Sequence, residues 1–459
     1  CLTDGPHGLR IQTDGAKEVG LNDSVPATCF PTASCLACSF NEDLISKVGT
    51  AIAEECIDEK VDMLLGPGIN IKRSPLCGRN FEYYSEDPLL SGVLASAFVE
   101  GVQKEGVFAC LKHFACNNQE YARMVNDSIV DERALFEIYL KPFEIAIRKS
   151  SPKAIMCSYN KVNGIQMSHH SELLKKILRE DFSFEGTTIS DWGAVSNRVL
   201  SLQNGLDLEM PGSLSYYDIV SAVEEGNLSI ETINQAVRSV LKLYVNRPSF
   251  DQPKHKNHHF LAKQAALESI VLLKNEGNVL PLHLSEKIGI VGNHTMRIQG
   301  AGSSKVHPKQ VDSFLDCLSE NHISYQVFSH ITEEIQTMDK VLCFIELPAK
   351  NEIEGKDRSN LKLSEESLFM IEELKKFHSK IIVILTTGSV VELPFISSIS
   401  GLVLTYLGGE ASASALCDIL YNKTNPSGHL AESWIERLED CPVQNYGKNV
   451  YQTFYKESI

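Results

Sequence analysis

Residues 186–195 read GTTISDWGAV, and this stretch decides our interpretation of the fold. Four β-prone residues, Thr187 to Ser190, run directly into Asp191, and Trp192 and a glycine follow. The pattern predicts a buried strand that ends at a carboxylate. Barrel folds place their chemistry at the carboxyl ends of strands, so Asp191 is a candidate functional group. The alternative is that Ser190 or Asp191 only caps the following helix, because Ser and Asp are preferred caps.

Residues 1–245 alternate short apolar runs with amphipathic segments. The runs with strand character are Thr28–Phe30, Val61–Leu65, Phe108–His113, Ala154–Tyr159, Thr187–Asp191 and Gly205–Met210. The segments with helical periodicity are Asn41–Ile57, Leu89–Lys104, Asp131–Arg148, Ser171–Arg179 and Asp218–Glu225. Strands that alternate with helices pair in parallel. We therefore expect an α/β fold that begins with a (β/α)8 TIM-like barrel.

The polar ends of these strands distinguish two parallel architectures. A doubly wound sheet is the alternative to the barrel. Polar or turn residues follow the strands at Asp4, Gly66–Gly68, Lys112–His113, Tyr159–Asn160, Asp191–Trp192 and Glu209. Such a repeated pattern favours the rim of a barrel over a single crevice. The residues before Asp4 resemble only the end of a strand, so we expect a trimmed or partial chain.

A second, smaller α/β unit is predicted after a linker, because 459 residues exceed one ordinary core. Residues 246–265 are assigned as the linker, since their first half is polar and contains prolines. Residues 266–435 form the predicted α/β three-layer sandwich, and 436–459 a C-terminal extension without clear periodicity. The expected strands of this unit are Ile288–Val291, Lys340–Glu346, Ile381–Thr386 and Gly401–Tyr406. The expected helices are Phe260–Ser269, Ser364–Lys376 and Glu410–Tyr421.

The composition excludes several classes of partner. Hydrophobic residues make up 43% of the chain, and the formal net charge is −16. Such an acidic surface repels nucleic acid and anionic membrane, and no apolar run is long enough to span a bilayer. The 13 cysteines lie mostly in apolar runs, so we expect buried free thiols in a reducing compartment and assign the cytoplasm. Cys35 and Cys38 have C-x-x-C spacing, but no second pair completes a zinc site.

Two motifs with cationic side chains are candidates for binding. Lys112 and His113 both donate hydrogen bonds of the kind that hydroxyl groups accept. The alternative is a lysine stem and a histidine that only pack. Arg79 and Glu82, in CGRNFEYYSEDP, are typical of an arginine–carboxylate pair that orders a loop. A purely structural pair explains them equally well.

Two glycine-containing motifs are less specific. Asp4 and Arg10 lie in TDGPHGLR, where Asp-Gly-Pro by itself indicates only a turn. Residues 300–308, GAGSSKVHP, resemble a phosphate cradle but lack the Gly-Lys-Ser/Thr of a P-loop and the dinucleotide fingerprint. We reject a nucleotide site and expect a mobile loop that brings Ser303 to a neighbouring site.

Two glutamates follow the predicted strand that ends at Glu346. Glu352 and Glu354 lie in NEIEGKDRSN, and charged loops of this kind are usually only solvated. An aspartate in one domain and a glutamate in the other could still face each other across a cleft. Retaining glycoside hydrolysis needs two carboxylates about 5–5.5 Å apart.

With these motifs in place, the chain resembles glycoside hydrolase family 3, of the β-glucosidase type. The resemblance extends from Asp4 to Ser433 and is carried, in the order of the family, by TDGPHGLR, GPGINIKRSPLCGRNFEYYSEDP, LKHFACNNQE, MCSYNKVNG, ISDWGAV, SIVLLKNEGNVLPL, GAGSSKVHP, IEGKDR, VVELPF and YLGGEASASALCDILYNKTNPSGHLAES. It implies a barrel followed by a sandwich, with the active site at their junction.

The resemblance also implies roles for individual residues. The family's nucleophile lies in its Ser-Asp-Trp motif, which corresponds to Asp191, and its acid/base lies in the Glu-Gly-x-Asp-Arg loop, which corresponds to Glu354. The implied sugar-binding residues are Asp4, Arg10, Arg79, Lys112, His113, Arg123, Tyr159, Trp192 and Ser303. No metal or organic cofactor is implied. We expect Lys112 and Arg79 to keep Asp191 ionised, and the charge of Asp191 to raise the pKa of Glu354.

The expected function is therefore release of terminal β-D-glucosyl residues from β-glucosides by a two-step retaining mechanism. The expected partner is a small carbohydrate, and homo-oligomerisation stays open. The alternatives are a β-xylosidase, an arabinosidase or a β-N-acetylglucosaminidase on the same scaffold, or a non-catalytic sugar-binding protein. The acetylglucosaminidase branch uses a barrel-loop Asp-His dyad, and its histidine loop is not visible here. A non-catalytic protein is disfavoured because both carboxylates are present.

Overall fold

The computed structural model shows two α/β units that follow one another along the chain. It describes residues 1–12, 24–213, 217–441, 443–444 and 452–455. Parallel strands alternate with helices in both units, so the fold class predicted from the sequence is confirmed.

The first unit is built on a parallel sheet with the TIM-like barrel architecture. Its strands are β1 (Leu2–Asp4), β2 (Pro26–Ala27), β3 (Met63–Leu65), β4 (Phe108–Phe114), β5 (Asp127–Val130), β6 (Ala154–Cys157), β7 (Lys161–Val162), β8 (Ile165–Gln166) and β9 (Thr187–Ser190). The order β1-β3-β4-β6-β9 is parallel throughout, and Leu208 adds one bridge beside Ile189. The carboxyl ends of the five strands therefore lie at one edge, where the chemistry of such folds is found.

The α-helices of the first unit accompany these strands along the chain, and several of them begin at a polar side chain that caps them. They are α1 (Ala33–Leu36), α2 (Glu42–Asp58), α3 (Pro88–Lys104), α4 (Glu132–Ala134), α5 (Lys141–Ser150), α6 (Arg198–Gln203), α7 (Tyr217–Glu224) and α8 (Ile230–Val245). Asn41 accepts a hydrogen bond from the Leu44 N–H at the start of α2. Asp87 does the same for the Leu89 and Leu90 N–H groups at the start of α3. These caps satisfy backbone donors that the first helical turn leaves free.

The second unit has helices on both faces of its sheet. It contains β10 (Val271–Asn275), β11 (Ile288–Gly292), β12 (His307–Pro308), β13 (Tyr325–Phe328), β14 (Lys340–Glu346), β15 (Ile381–Thr386) and β16 (Gly401–Leu404), with α9 (His259–Ser269), α10 (Phe314–Glu320), α11 (Glu365–Phe377) and α12 (Ser412–Leu420). The sheet order is β10-β16-β15-β14-β11-β13, and only β10 is antiparallel to its neighbour.

Alternate residues of β14 show why this unit has three layers. Val341 packs in one core cluster with Leu374 of α11, whereas Leu342 packs in another with Leu318 of α10 and Leu416 of α12. Successive side chains of a strand point to opposite faces, so a strand that is apolar at every position is covered on both sides. The predicted three-layer sandwich is confirmed.

The two units meet closely where the site forms. A Cβ atom on Gly78, in the loop after β3, would lie 1.9 Å from the backbone oxygen of Lys356 in the second unit, so only glycine fits. β12 pairs with β2, and the C-terminal strand β18 (Gln452–Tyr455), which also pairs with β17 (Val443–Gln444), lies parallel to β5 of the first unit. The rest of the predicted extension beyond residue 444 lies outside the described residues.

Several predicted elements differ from those observed, each for a local reason. Thr28–Phe30 is not a strand, because the Thr28 N–H donates to the Glu55 carboxylate and the Cys29 N–H to the Glu410 carboxylate. Gly205–Met210 contributes one bridge instead of a strand. The single helix expected over Asp131–Arg148 is divided into α4, a π-helical turn and α5, which has a proline in its first turn.

Other elements were not predicted from the sequence. Leu2–Asp4 is a paired strand, although its sequence suggested only a strand end. The amphipathic pattern of α8 was overlooked, as were β13 and α10. Residues 172–181 form a helix of π type where an ordinary helix was expected.

Candidate active site

A cavity of about 310 Å³ lies where the carboxyl ends of the barrel strands face the sandwich. Asp191 from the barrel and Glu354 from the sandwich both line it. The other predicted sugar-binding residues line it too, except Arg123, which contacts Glu354 directly. The structure therefore brings the predicted residues of both units together.

Asp191 follows β9 directly and is 8% exposed. Its backbone N–H donates to the Cys157 oxygen of the neighbouring strand, which fixes its position. Its Oδ1 accepts a hydrogen bond from the Trp192 N–H at 2.7 Å. Its Oδ2 has no hydrogen-bond partner among the described residues. The helix-cap alternative loses its basis, because Asn197 caps the next helix, α6.

His113, near the end of β4, faces the second oxygen of Asp191. Its Nε2 lies 3.6 Å from Asp191 Oδ2. Burial, together with the nearby Arg79 and Lys112 cations, lowers the pKa of His113 well below its usual value, so the ring is neutral. The Tyr83 hydroxyl lies 3.2 Å from Nδ1. Asn70 Oδ1 also lies 3.2 Å from Nδ1, so the tautomer of the ring decides whether Nε2 presents an N–H or a lone pair to Asp191.

A buried ion cluster lies beside this pair. Arg79 makes a bidentate contact with Glu82, at 2.8 and 2.9 Å, and both side chains are 1% exposed. Lys112 lies 3.3 Å from Glu82 and 3.4 Å from Asp4. Burial alone would lower the pKa of Lys112, but Glu82 and Asp4 raise it above its ordinary value. Lys112 is therefore a fixed cation in the cavity wall and is not a snorkelling side chain.

Glu354 is held at both oxygens. Its Oε1 accepts from Arg123 at 2.9 Å and lies 3.7 Å from Arg79. Its Oε2 accepts from the Ser303 N–H at 2.8 Å. Arg10 donates to the backbone oxygen of Ser303 at 2.6 Å, so the loop that carries Ser303 is attached to the barrel.

The glycine-containing loop can approach Glu354 only because of Gly302. This residue has φ +113°, and a Cβ atom there would lie 2.5 Å from Cβ of Glu354. The loop therefore positions an N–H donor on Glu354, and Gly302 allows the close approach between these two segments of the sandwich.

The charges of the two carboxylates differ from our expectation. Burial raises the pKa of Asp191 above its ordinary value, and Arg79 opposes this shift only in part. Burial would also raise the pKa of Glu354, but Arg79 and Arg123 hold it well below its usual range. The expected order of the two pKa values is thus reversed, because Arg79 and Arg123 both contact Glu354 at 3.7 and 2.9 Å, whereas their effect on Asp191 does not outweigh its burial.

The structure also separates the two glutamates that composition could not tell apart. Glu352 is 1% exposed and points into the sandwich. It accepts from the Gly388 N–H at 2.6 Å and is paired with Arg297. Glu354, two residues later, lines the cavity. Glu352 is therefore a buried structural carboxylate.

Aromatic and apolar side chains complete the cavity wall. The Tyr159 ring lies 4.3 Å from the Arg123 guanidinium, a cation–π contact that fixes both groups. Trp192 is 47% exposed and lines the cavity. Leu65, Met156 and Met210 also line the cavity. These three were missed from the sequence, although each lies in a strand-like apolar run and Leu65 and Met210 end theirs.

A second cavity, of about 780 Å³, opens at the opposite end of the barrel strands. Phe108 and Thr187, the first residues of β4 and β9, line it, and Glu185 is its one acidic residue. It offers no pair of carboxylates. In barrel folds this end contributes to stability and not to catalysis.

Three further observations bear on the compartment and on cofactors. All 13 cysteines are free, and only Cys1, Cys317 and Cys441 are not buried, so the predicted buried thiols are confirmed. Within the described ranges, no helix is long and apolar enough to cross a membrane. Among the same residues, no group of three His, Cys, Asp or Glu side chains is arranged to hold a metal ion.

Comparison with protein families agrees with this geometry. The sequence model of the family described as the glycosyl hydrolase family 3 N terminal domain matches residues 4–243. The sequence model of the glycosyl hydrolase family 3 C-terminal domain matches residues 270–459. The chain belongs to glycosyl hydrolase family 3. Both halves of the family 3 arrangement are therefore present, and the cavity lies between them.

Two relatives show how far the similarity extends. The thermostable beta-glucosidase B of Acetivibrio thermocellus is 44% identical over 100% of this chain and 64% of its own length. An exo-alpha-(1->6)-L-arabinopyranosidase of Bifidobacterium breve is 41% identical over 96% of this chain and 63% of its own length. This family 3 chain thus spans less than two thirds of the length of these relatives.

Solved structures of family 3 proteins share the fold. The beta-glucosidase of Bifidobacterium adolescentis superposes with a TM-score of 0.92 at 38% identity, over 99% of this chain and 69% of that one. Beta-glucosidase 3B of Thermotoga neapolitana, in complex with alpha-D-glucose, superposes with a TM-score of 0.91 at 36% identity, over 100% of this chain and 72% of that one.

Proposed function

We propose that this chain performs the chemistry of a retaining glycoside hydrolase that releases terminal, non-reducing β-D-glucosyl residues from β-glucosides. One observation carries the proposal: Asp191 from the barrel and Glu354 from the sandwich line a single cavity. Two carboxylates that flank a glycosidic bond are the groups this reaction needs. The names of the relatives favour a β-glucoside as the substrate.

The two carboxylates have different roles in the proposed reaction. Asp191, through the Oδ2 that has no hydrogen-bond partner in the described part of the chain, attacks the anomeric carbon and forms a covalent glycosyl-enzyme. Glu354 in its protonated form donates its proton to the departing oxygen. It then takes a proton from the water that attacks the intermediate, so the configuration is retained and the enzyme returns to its starting state.

The reaction requires a proton on Glu354, which the neighbouring arginines disfavour. Arg79 and Arg123 stabilise the Glu354 anion, whereas burial favours a proton on Asp191. These opposite shifts favour a proton on Asp191 over a proton on Glu354. A substrate oxygen placed beside Glu354 would compete with the arginines, and transfer of the proton to Glu354 would complete the productive state.

The remaining side chains fit recognition of a single sugar ring. Asp4, Lys112 and His113 are proposed to bind ring hydroxyls, and Trp192 offers an apolar face. A cavity of about 310 Å³ lies at the small end of the range for small-molecule sites, roughly 300–1,000 Å³. It fits one residue with the aglycone outside.

A second candidate activity is cleavage of α-L-arabinopyranosides. It is favoured by the two Bifidobacterium relatives of that name, 41% and 40% identical to this chain. An α-L-arabinopyranoside presents its leaving group equatorially, as a β-D-glucoside does, so the same two carboxylates serve both.

Nitrophenyl glycosides test the proposed function directly. We expect kcat/KM to be highest for the β-D-glucoside, with the α-L-arabinopyranoside as the competitor and β-xyloside and β-N-acetylglucosaminide lower. A higher kcat/KM for the α-L-arabinopyranoside would make its cleavage the preferred function in place of β-glucoside hydrolysis. No hydrolysis of any member, by protein shown to be folded, would contradict the function. The cytoplasmic location and the oligomeric state stay predictions.

A further inference from the structure

Glu120, in the loop after β4, is a buried acid that the proposed reaction does not use. It is 2% exposed. Its Oε2 accepts two hydrogen bonds of 2.7 Å, one from Arg123 Nη1 and one from the Gly355 N–H. Gly355 directly follows Glu354, and Arg123 is the cation bonded to Glu354. One oxygen of a barrel residue thus contacts both the loop and the counter-ion of the acid/base candidate.

The attachment between barrel and sandwich at this point is reciprocal. Asp357, on the Glu354 loop, accepts from the backbone N–H groups of Glu120 and Tyr121 in the barrel, at 3.0 and 2.7 Å. It also accepts from the Gly78 N–H at 3.0 Å. A sandwich carboxylate therefore binds barrel N–H groups, while Glu120 binds a sandwich N–H.

The other oxygen of Glu120 shows that its charge is incompletely balanced. Oε1 is buried, and no described group hydrogen-bonds to it. Burial raises the pKa of Glu120 to about 7, against the lowering by Arg79 and Arg123. The charged and titratable groups around Glu120 are Cys77, Arg79, Tyr83, Arg123, Glu354 and Asp357. Its charge therefore changes within the range in which enzymes are assayed.

We propose that Glu120 is a positioning residue for the acid/base step, which holds the Glu354 loop against the barrel and weakens the hold of Arg123 on the Glu354 anion. The catalytic consequence of this inference rests on the proposed function, whereas the contact between Glu120 and Gly355 is independent of it.

Two substitutions separate these effects. Glu120→Gln keeps an acceptor oxygen for Arg123 and Gly355 but removes the negative charge. Glu120→Ala removes both. We expect E120A to lower kcat on alkyl glucosides on the order of 10²-fold, because small misplacements of catalytic groups cost about that much. The loss with an activated aryl glucoside should be smaller, since that leaving group needs little protonation.

The pH profile of E120Q tests the effect of charge. Well below its pKa of about 7, Glu120 of the wild type is neutral, so kcat of E120Q should match the wild type at pH 5. Above pH 7 the wild type gains a negative charge beside Arg123, which raises the pKa of Glu354, and E120Q does not. The alkaline limb of E120Q should therefore move to lower pH, while the acidic limb stays in place.

A readout without catalysis tests the positioning itself. Amide hydrogen exchange of the peptide containing Gly355 should become faster in E120A and remain slow in E120Q. Glu55→Ala is the matched control, because Glu55 is equally buried but bonds Thr28 and Lys309 away from the cavity. If amide exchange at Gly355 is also faster in E55A, general destabilisation explains the faster exchange in E120A, and the inference is overturned.

The outcomes keep the two proposals apart. If the wild type hydrolyses a glucoside but E120A retains full kcat on alkyl glucosides, the inference fails and the proposed function stands. If E120Q is as impaired as E120A below pH 7, the positioning role is wrong. If the wild type hydrolyses nothing, the function fails, and unchanged exchange at Gly355 in E120A would overturn the inference separately.

Discussion

Asp191 on the barrel and Glu354 on the sandwich line the same cavity but are held in opposite ways. Asp191 has one oxygen bonded to a backbone N–H and the other without a partner among the described residues. Glu354 has both oxygens occupied, by Arg123 and by the Ser303 N–H. The barrel therefore supplies a rigid carboxylate with a free oxygen, and the sandwich supplies one whose proton affinity its neighbours control.

This difference supports the roles that we propose for the two carboxylates. A nucleophile needs an available oxygen at a fixed place, and a strand end provides it. An acid/base catalyst needs a proton affinity that changes during the reaction, and the proton affinity of Glu354 is set by the charged groups around it. Exchanging the roles would require Glu354 to attack while bonded at both oxygens.

The largest effect is expected for Asp191→Asn. The change is nearly isosteric, and turnover should fall by ~10³-fold or more because binding alone cannot replace a nucleophile. The pKa of Asp191 is raised in the fold, so its ionisation costs stability as the pH rises through the folded-state pKa. The melting temperature of the Asn variant at pH 7 should therefore not be lower than that of the wild type. Near-normal turnover would make Asp191 structural.

Glu354→Ala should have a smaller effect that depends on the leaving group. With alkyl glucosides, kcat should fall by roughly 10²–10⁴-fold, the usual contribution of general acid–base catalysis. With activated aryl glucosides the covalent intermediate should accumulate, so KM falls, and added azide should restore turnover because it needs no base.

Glu352→Gln is the control for that experiment. Glu352 is buried against Arg297 and Gly388, so the variant should melt at a lower temperature but keep the wild-type dependence on the leaving group. If azide restores turnover of E352Q but not of E354A, the acid/base role belongs to Glu352 and not to Glu354.

A still smaller effect is expected for Arg123→Gln. Arg123 lowers the pKa of Glu354, so its removal should make Glu354 easier to protonate. The alkaline limb of the kcat profile should move upward by about one pH unit, the lower end of what an adjacent arginine does to a carboxyl. Exposed Arg133, replaced by Gln, should leave the profile unchanged. A downward shift in R123Q would contradict the account.

The sequence predicted the barrel half of the site better than the sandwich half. Asp191 could be found from local pattern, because an apolar run that stops at an acid marks a strand end. Glu354 became a candidate over Glu352 only through resemblance to a family. The two lie two residues apart, and only the packing of Gly388 and Arg297 around Glu352 distinguishes them.

The contacts between the units could not be predicted from spacing. Arg123 and Glu354 are 231 residues apart in the sequence, so only the fold brings them within hydrogen-bonding distance, and no local motif indicates the contact. The same is true of the close approach at Gly78. The reversed proton affinities followed from where the arginines lie, which the sequence does not show. The domain boundaries at 245, 265 and 435 stay predictions.

The most direct test of the division between the two carboxylates is to trap the covalent intermediate. A 2-deoxy-2-fluoro-β-glucoside with a dinitrophenyl leaving group slows both steps, but the leaving group keeps the first faster than the second, so the glycosyl-enzyme accumulates. Peptide mass spectrometry of the inactivated protein should place one fluoroglucosyl group on Asp191, and Asp191→Asn should not be labelled. A label on Glu354 or on another residue would contradict the account.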